Sequence, residues 1–88
     1  MIRYTEDVLK MVTKGLIPQD VFANINNAFM EIDIKKDLNL FDIKPFKETS
    51  GVYYRLRKGK YRAIFYIDND DIMVITIDKR EDVYRKWR

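Results

Sequence analysis

The 88-residue chain contains no cysteine and no histidine, only 3 glycines and 2 prolines, and no long apolar run. Each absence excludes something. Without cysteine there is no disulfide framework, so folding rests on apolar burial. Thiolate and imidazole zinc sites are excluded, as are Cys-His and Ser-His-Asp nucleophile systems. A general base, if the chain uses one, is Asp, Glu, Lys or Tyr. The longest apolar runs are a few residues, too short to span a membrane. The N-terminal stretch Met1 to Asp7 turns acidic where a secretion signal needs its apolar segment, so a cytoplasmic protein without membrane association is expected. The scarcity of glycine and proline and the 47% apolar content suit one folded domain over residues 1–88.

The charge that is present is unevenly placed. Residues 1–50 carry 7 basic and 8 acidic side chains, and residues 51–88 carry 10 basic and 6 acidic. The surplus is densest where Arg55, Arg57, Lys58, Lys60 and Arg62 occur with no acid among them. Such a cluster is either a solvated hairpin surface or a site for a polyanion.

Ile2 to Tyr4 suits a short first strand. Thr5 is a natural N-cap, with Glu6 and Asp7 in the first turn and Gly15 as a stop. Val21, Phe22, Ile25, Phe29 and Ile32 recur at three- and four-residue spacing, which predicts a second helix from about Pro18 to Ile34. Its Asn-rich centre has poor helix propensity, so the buried face must hold it. Residues 35–50 are irregular. Phe41, Ile43 and Phe46 form a short strand or an apolar loop, and Pro45 argues against a central strand.

The remainder reads as an antiparallel meander with strands at Val52–Arg57, Tyr61–Ile67 and Ile72–Ile77. Lys58-Gly59-Lys60 supplies the first turn, with Gly59 at positive φ. Alternation puts Tyr61, Ala63, Phe65 and Ile67 on one face, and Arg62, Ile64 and Tyr66 on the other. Tyr53, Arg55 and Arg57 likewise alternate with Tyr54 and Leu56. The turn sets Arg57 opposite Arg62, and Arg55 shares their face. Like charges opposed in this way cost stability. Phosphate binding gives a reason to keep them, because a guanidinium matches phosphate oxygens in a two-pronged geometry. From Asp78 the chain is expected to leave the sheet in a helical turn. Trp87 reads as a packing residue, and Tyr84 as either packing or functional.

The stretch Tyr54 to Tyr66, together with Asp78-Lys79-Arg80-Glu81-Asp82-Val83-Tyr84, resembles the RelE/ParE toxins of type II toxin–antitoxin pairs. The match is good over residues 52–85 and loose before them. The resemblance implies an α+β fold: a short N-terminal strand, two packed helices, then a three- to four-stranded antiparallel sheet. It places the active surface on the sheet's open face and C-terminal end.

Two activities are known on this fold. RelE-like members cleave mRNA in the ribosomal A site by 2′-hydroxyl attack on the adjacent phosphate, without metal or cofactor. ParE-like members inhibit DNA gyrase. By the resemblance Tyr84, Arg62 and Arg80 are the catalytic candidates. Arg62 and Arg80 would stabilise charge on the phosphorane oxygens. Tyr84 would be the base or an aromatic platform. Arg55, Arg57, Lys58, Lys60 and Lys79 would bind RNA phosphates. The chain has Arg55 and Arg57 where the best-studied branch has lysines. An arginine does not exchange its proton near neutral pH, so these two read as clamps. The acid–base load falls on Tyr84 or on an acid such as Glu48, Glu81 or Asp82. The expected function is a ribosome-dependent endoribonuclease toxin whose partners are mRNA, the 70S ribosome and an antitoxin. The alternatives are a gyrase inhibitor without nuclease activity and an inactive RNA-binding relative.

Overall fold

The computed structural model describes residues 1–46 and 52–79. Strand β1 (Ile2–Tyr4) leads into helices α1 (Glu6–Thr13) and α2 (Gln19–Lys35). A 3-10 turn at Leu38–Leu40 follows. Then come β2 (Ile43–Phe46), β3 (Tyr53–Lys58), β4 (Tyr61–Asp68) and β5 (Asp71–Lys79). The five strands form one sheet in the order β1-β5-β4-β3-β2.

The α+β reading holds, with five strands rather than three to four. β1 adds to β5 in parallel, Ile2 opposite Ile72 and Tyr4 opposite Val74, so the sheet is mixed. β2 adds at the far edge, with Pro45 opposite Tyr54. An edge strand tolerates proline because one side of its backbone needs no ladder bond. β5 also runs on to Lys79, so Asp78 lies within the sheet instead of leaving it.

Thr5 joins three elements. Its backbone is extended, and its N–H donates to the Val74 carbonyl at 3.1 Å, closing β1 against β5. Its Oγ1 accepts from the Val8 N–H at 3.4 Å, which caps α1. The same hydroxyl donates to the Ile75 carbonyl at 3.1 Å. α1 ends at Thr13 with Lys14 as its C-cap, and Gly15 follows with φ +78°, which suits the left-handed residue after a helix. α2 reaches Lys35, close to the boundary the periodicity predicts.

Both helices lie on one face of the sheet. Val8, Ile25, Ala28, Phe29 and Ile32 meet Leu56, Ala63, Phe65, Ile72, Val74 and Ile77 in one core. Phe29 meets Phe65 edge-on at 5.0 Å, and Tyr54 stacks on Phe65 at 5.5 Å. Burial of α2's apolar face offsets the weak propensity of its asparagines. Phe41 and Ile43 pack against the rim of this core.

The two hairpins set the register. Between β3 and β4, Gly59 has φ +61°, while Lys60 is not left-handed, the pattern of a type II′ turn. Between β4 and β5, Asn69 and Asp70 have φ +49° and +71°, the pattern of a type I′ turn. β5 then carries a bulge. Phe65 pairs with Val74 but Ile64 pairs with Thr76, so Ile75 is an extra residue. Simple alternation from Ile72 and Val74 would aim Thr76 and Asp78 into the core. The bulge resets it, so that Ile77 points inward beside Ala63 and Asp78 points outward beside Arg62.

Candidate functional site

The sheet face opposite α1 and α2 is where the arginines of the β3–β4 hairpin gather. The expected hairpin register is present: Arg57 is opposite Arg62, and Arg55 is opposite Ile64. Across β5, Asp78 is opposite Arg62 and Thr76 is opposite Ile64. Two cross-strand rows result, Arg57–Arg62–Asp78 and Arg55–Ile64–Thr76, with Lys44 of β2 opposite Arg55.

The three arginines differ in setting. Arg57 is exposed, and its backbone N–H donates to the Asp42 carbonyl at 3.0 Å. Arg55 is largely covered, and its Nη2 lies 3.8 Å from Asp42 Oδ1. Arg62 is only 4% exposed, the one buried charged residue among those described. A buried guanidinium is costly unless a counter-charge and acceptors surround it. Asp78, of opposite charge, is its cross-strand neighbour in the β5 register. The bulge at Ile75 is therefore what gives Arg62 an acidic neighbour. Ile64, fully buried, lies next to Arg62 on β4's outward side, apart from the helix-side core.

The lysines do not join this row. Lys58 alternates to the helix side, where its Nζ sits 5.2 Å from the centre of the Phe41 ring. Lys60 is exposed in the β3–β4 turn. Lys79 is exposed at the end of β5, opposite Tyr61 and thus on the helix side of the register. Arg80 and Tyr84 lie outside the described residues, as do Glu48, Glu81 and Asp82.

Sequence reasoning missed Asp78 and Asp42. Asp78 depends on a one-residue bulge, which leaves no mark in alternation. Asp42 sits before an edge strand whose pairing is long-range. The arginine row itself was legible, because a tight turn fixes a hairpin's register locally.

No protein-family model and no curated protein sequence matches the chain. Solved structures do. The chain is similar to a chain of the RelB–RelE antitoxin–toxin complex from Methanococcus jannaschii, at 24% identity and a TM-score of 0.75, over 98% of this chain and 99% of that one. It is similar to a chain of the RelE–RelB complex from Pyrococcus horikoshii OT3, at 18% identity and a TM-score of 0.70, over 90% and 92% of the two chains. It is also similar to YafQ from E. coli strain BL21(DE3), at 14% identity and a TM-score of 0.68, over 96% and 97%. The likeness runs over nine-tenths or more of the chain in each case, and the chain has a RelE-like fold.

Proposed function

We propose that this protein is the toxin of a toxin–antitoxin pair and acts as a ribosome-dependent endoribonuclease on mRNA. The observation that carries the reading is the gathering of Arg55, Arg57 and Arg62 on the sheet face opposite α1 and α2 in a RelE-like fold. Opposed arginines cost stability, and an RNA phosphate seated between them offsets that cost.

In this reading Arg57 and Arg55 clamp phosphates, with further attraction from Lys58, Lys60 and Lys79. Tyr84 takes the proton from the ribose 2′-hydroxyl, whose oxygen then bonds to the adjacent phosphorus. Arg62 and Arg80 stabilise the charge that develops on the phosphorane oxygens. The bond to the 5′-oxygen breaks, Arg80 stabilises the charge on the departing oxygen, and that oxygen takes its proton from water. The products are a 2′,3′-cyclic phosphate and a 5′-hydroxyl. Arg62 is held with little freedom, which suits a group that must be in place before charge develops. Neighbouring cations also favour the ionised form of a tyrosine base.

The work is expected in the cytoplasm, as a single domain over residues 1–88. An antitoxin is the expected partner, since structures of similar fold are antitoxin–toxin complexes. An acidic antitoxin segment laid on the arginine row would shield it from RNA.

The test is induced expression followed by mapping of mRNA 5′ ends. Cuts confined to translated reading frames are expected. Intact mRNA together with blocked gyrase supercoiling would replace this reading with the gyrase one.

A further inference from the structure

The lysines gather away from the arginines. Lys58 of β3 is opposite Tyr61 of β4, and Tyr61 is opposite Lys79 of β5. Tyr61 packs against the core beneath the helices, so this row belongs to the helix side of the sheet. A groove of about 370 Å³ runs between this end of the hairpin and α2. Val21 and Asn24 line it from the helix, and Lys58, Gly59, Lys60 and Tyr61 line it from the hairpin. The groove is open to solvent. Asn24, Gly59 and Lys60 are exposed, and Val21, Lys58 and Tyr61 are half-buried. Apart from its chain neighbours, nothing lies within 4 Å of the point where a side chain would begin at Gly59.

The lining carries two ammonium groups and no carboxylate, and Asp20, beside Val21 in the chain, is not part of it. Among the described residues Lys58, Lys60 and Lys79 form no ion pair, and the Lys58 Nζ has the Phe41 ring 5.2 Å away. The apolar part of the lining is Val21, the Tyr61 ring and the methylene stems of the lysines. Ammonium groups around an apolar groove suit a peptide better than a nucleic-acid backbone. Carboxylates gain from the lysines, and aliphatic side chains gain from Val21 and Tyr61. The Asn24 amide both donates and accepts, as a peptide backbone requires. A phosphodiester gains only from the charge, and the guanidinium forks that match it are on the other face.

We propose that this groove holds a segment of the antitoxin that carries both acidic and aliphatic side chains. The proposal rests on the toxin reading above, which supplies the occupant, and adds where that partner is anchored. The anchorage is on the helix side of the sheet, so it is separable from any shielding of Arg57 on the other side.

The test is a titration of the isotope-labelled protein with a short peptide of alternating leucine and glutamate, read by NMR of the backbone amides. Leucine–serine and leucine–lysine peptides of equal length are the controls. The glutamate peptide is expected to shift the amides of Val21, Asn24, Gly59 and Tyr61. It is expected to bind about threefold or more tighter than the serine peptide, and to weaken as salt is added. Asn24 is exposed on α2, so its replacement leaves the fold in place. Asn24→Glu sets a carboxylate among the lysines and weakens the glutamate peptide by about threefold, and Asn24→Lys strengthens it. Equal binding of the three peptides, or shifts confined to Arg57 and its neighbours, overturns the groove as the anchorage. A short oligouridylate that shifts the same groove amides and binds there more tightly than the glutamate peptide overturns it in favour of a nucleic-acid contact. The titration does not depend on cleavage. Failed groove binding therefore leaves the ribonuclease reading standing, and intact mRNA in the expression test leaves the groove standing.

Discussion

Arg62 and Asp78 stand directly opposite one another on β4 and β5, and they do so because Ile75 is an extra residue in β5. One inserted residue thus serves two purposes. It turns Ile77 into the core, and it sets an acidic residue in register with an arginine that is 4% exposed.

Asp78→Asn removes the negative charge opposite Arg62 and keeps the side-chain volume. A buried charge that loses its counterpart costs about 1–3 kcal/mol. The urea midpoint is expected to fall accordingly. An unchanged midpoint would show that Arg62 draws its compensation from elsewhere.

Arg62→Lys keeps the charge but loses the planar, two-pronged donor. Activity in a ribosome-dependent cleavage assay is expected to fall about 100-fold or more, the usual cost of losing an aimed donor to a developing oxyanion. Tyr84→Phe is expected to abolish growth inhibition, with the fold retained by circular dichroism. Full toxicity of both variants would remove these residues from the chemistry.

Arg57 is exposed, so its substitution reports on binding with little effect on folding. Arg57→Ala is expected to weaken RNA binding and to reduce the slope of log affinity against log salt by about 0.7, the value for one lost contact to a single strand. An unaltered slope would mean that no phosphate sits at Arg57.

Thr5→Ala removes both the cap on α1 and the hydroxyl's bond to the Ile75 carbonyl. The expected cost is about 1–2 kcal/mol, read as a lower thermal or urea midpoint. Thr5→Ser should restore most of it. Failure of serine to rescue would show that the methyl group, not the hydroxyl, is what counts.

Tyr4 is half-buried beside Phe22, and its hydroxyl donates to Asn26 Oδ1 at 2.6 Å. Burial pushes its pKa up from 10.0 to about 12. The folded state therefore holds this proton in a range where the unfolded chain has released it. The stability is fully present below pH 10.0 and is lost as pH rises towards 12. Partial exposure limits the loss to at most about 2 kcal/mol. Tyr4→Phe is expected to be less stable at neutral pH and to decline less over that alkaline range. Parallel declines in urea midpoint would show that the other tyrosines carry the effect.

Local features of the chain announced much of this. The spacing of Val21, Phe22, Ile25, Phe29 and Ile32 marks α2, and Thr5 and Gly15 bracket α1. Gly59 sets the hairpin, and strict alternation then assigns Arg55, Arg57 and Arg62 to one face and Tyr54, Leu56 and Phe65 to the other. These are properties of neighbours a few residues apart, so the sequence by itself determines them. The long-range pairings are different. That β1 joins β5 in parallel, that β2 with Pro45 closes the far edge, and that Lys58 turns to Phe41 follow from which strands meet. The bulge at Ile75 belongs to the same class, because it is a mismatch between two strands and not a property of either. It alone decides that Asp78 faces Arg62. The absence of histidine and cysteine confined any chemistry to arginine, tyrosine, lysine and carboxylate side chains. Tertiary structure decided which arginine is buried and held, because burial depends on what the rest of the chain lays around it.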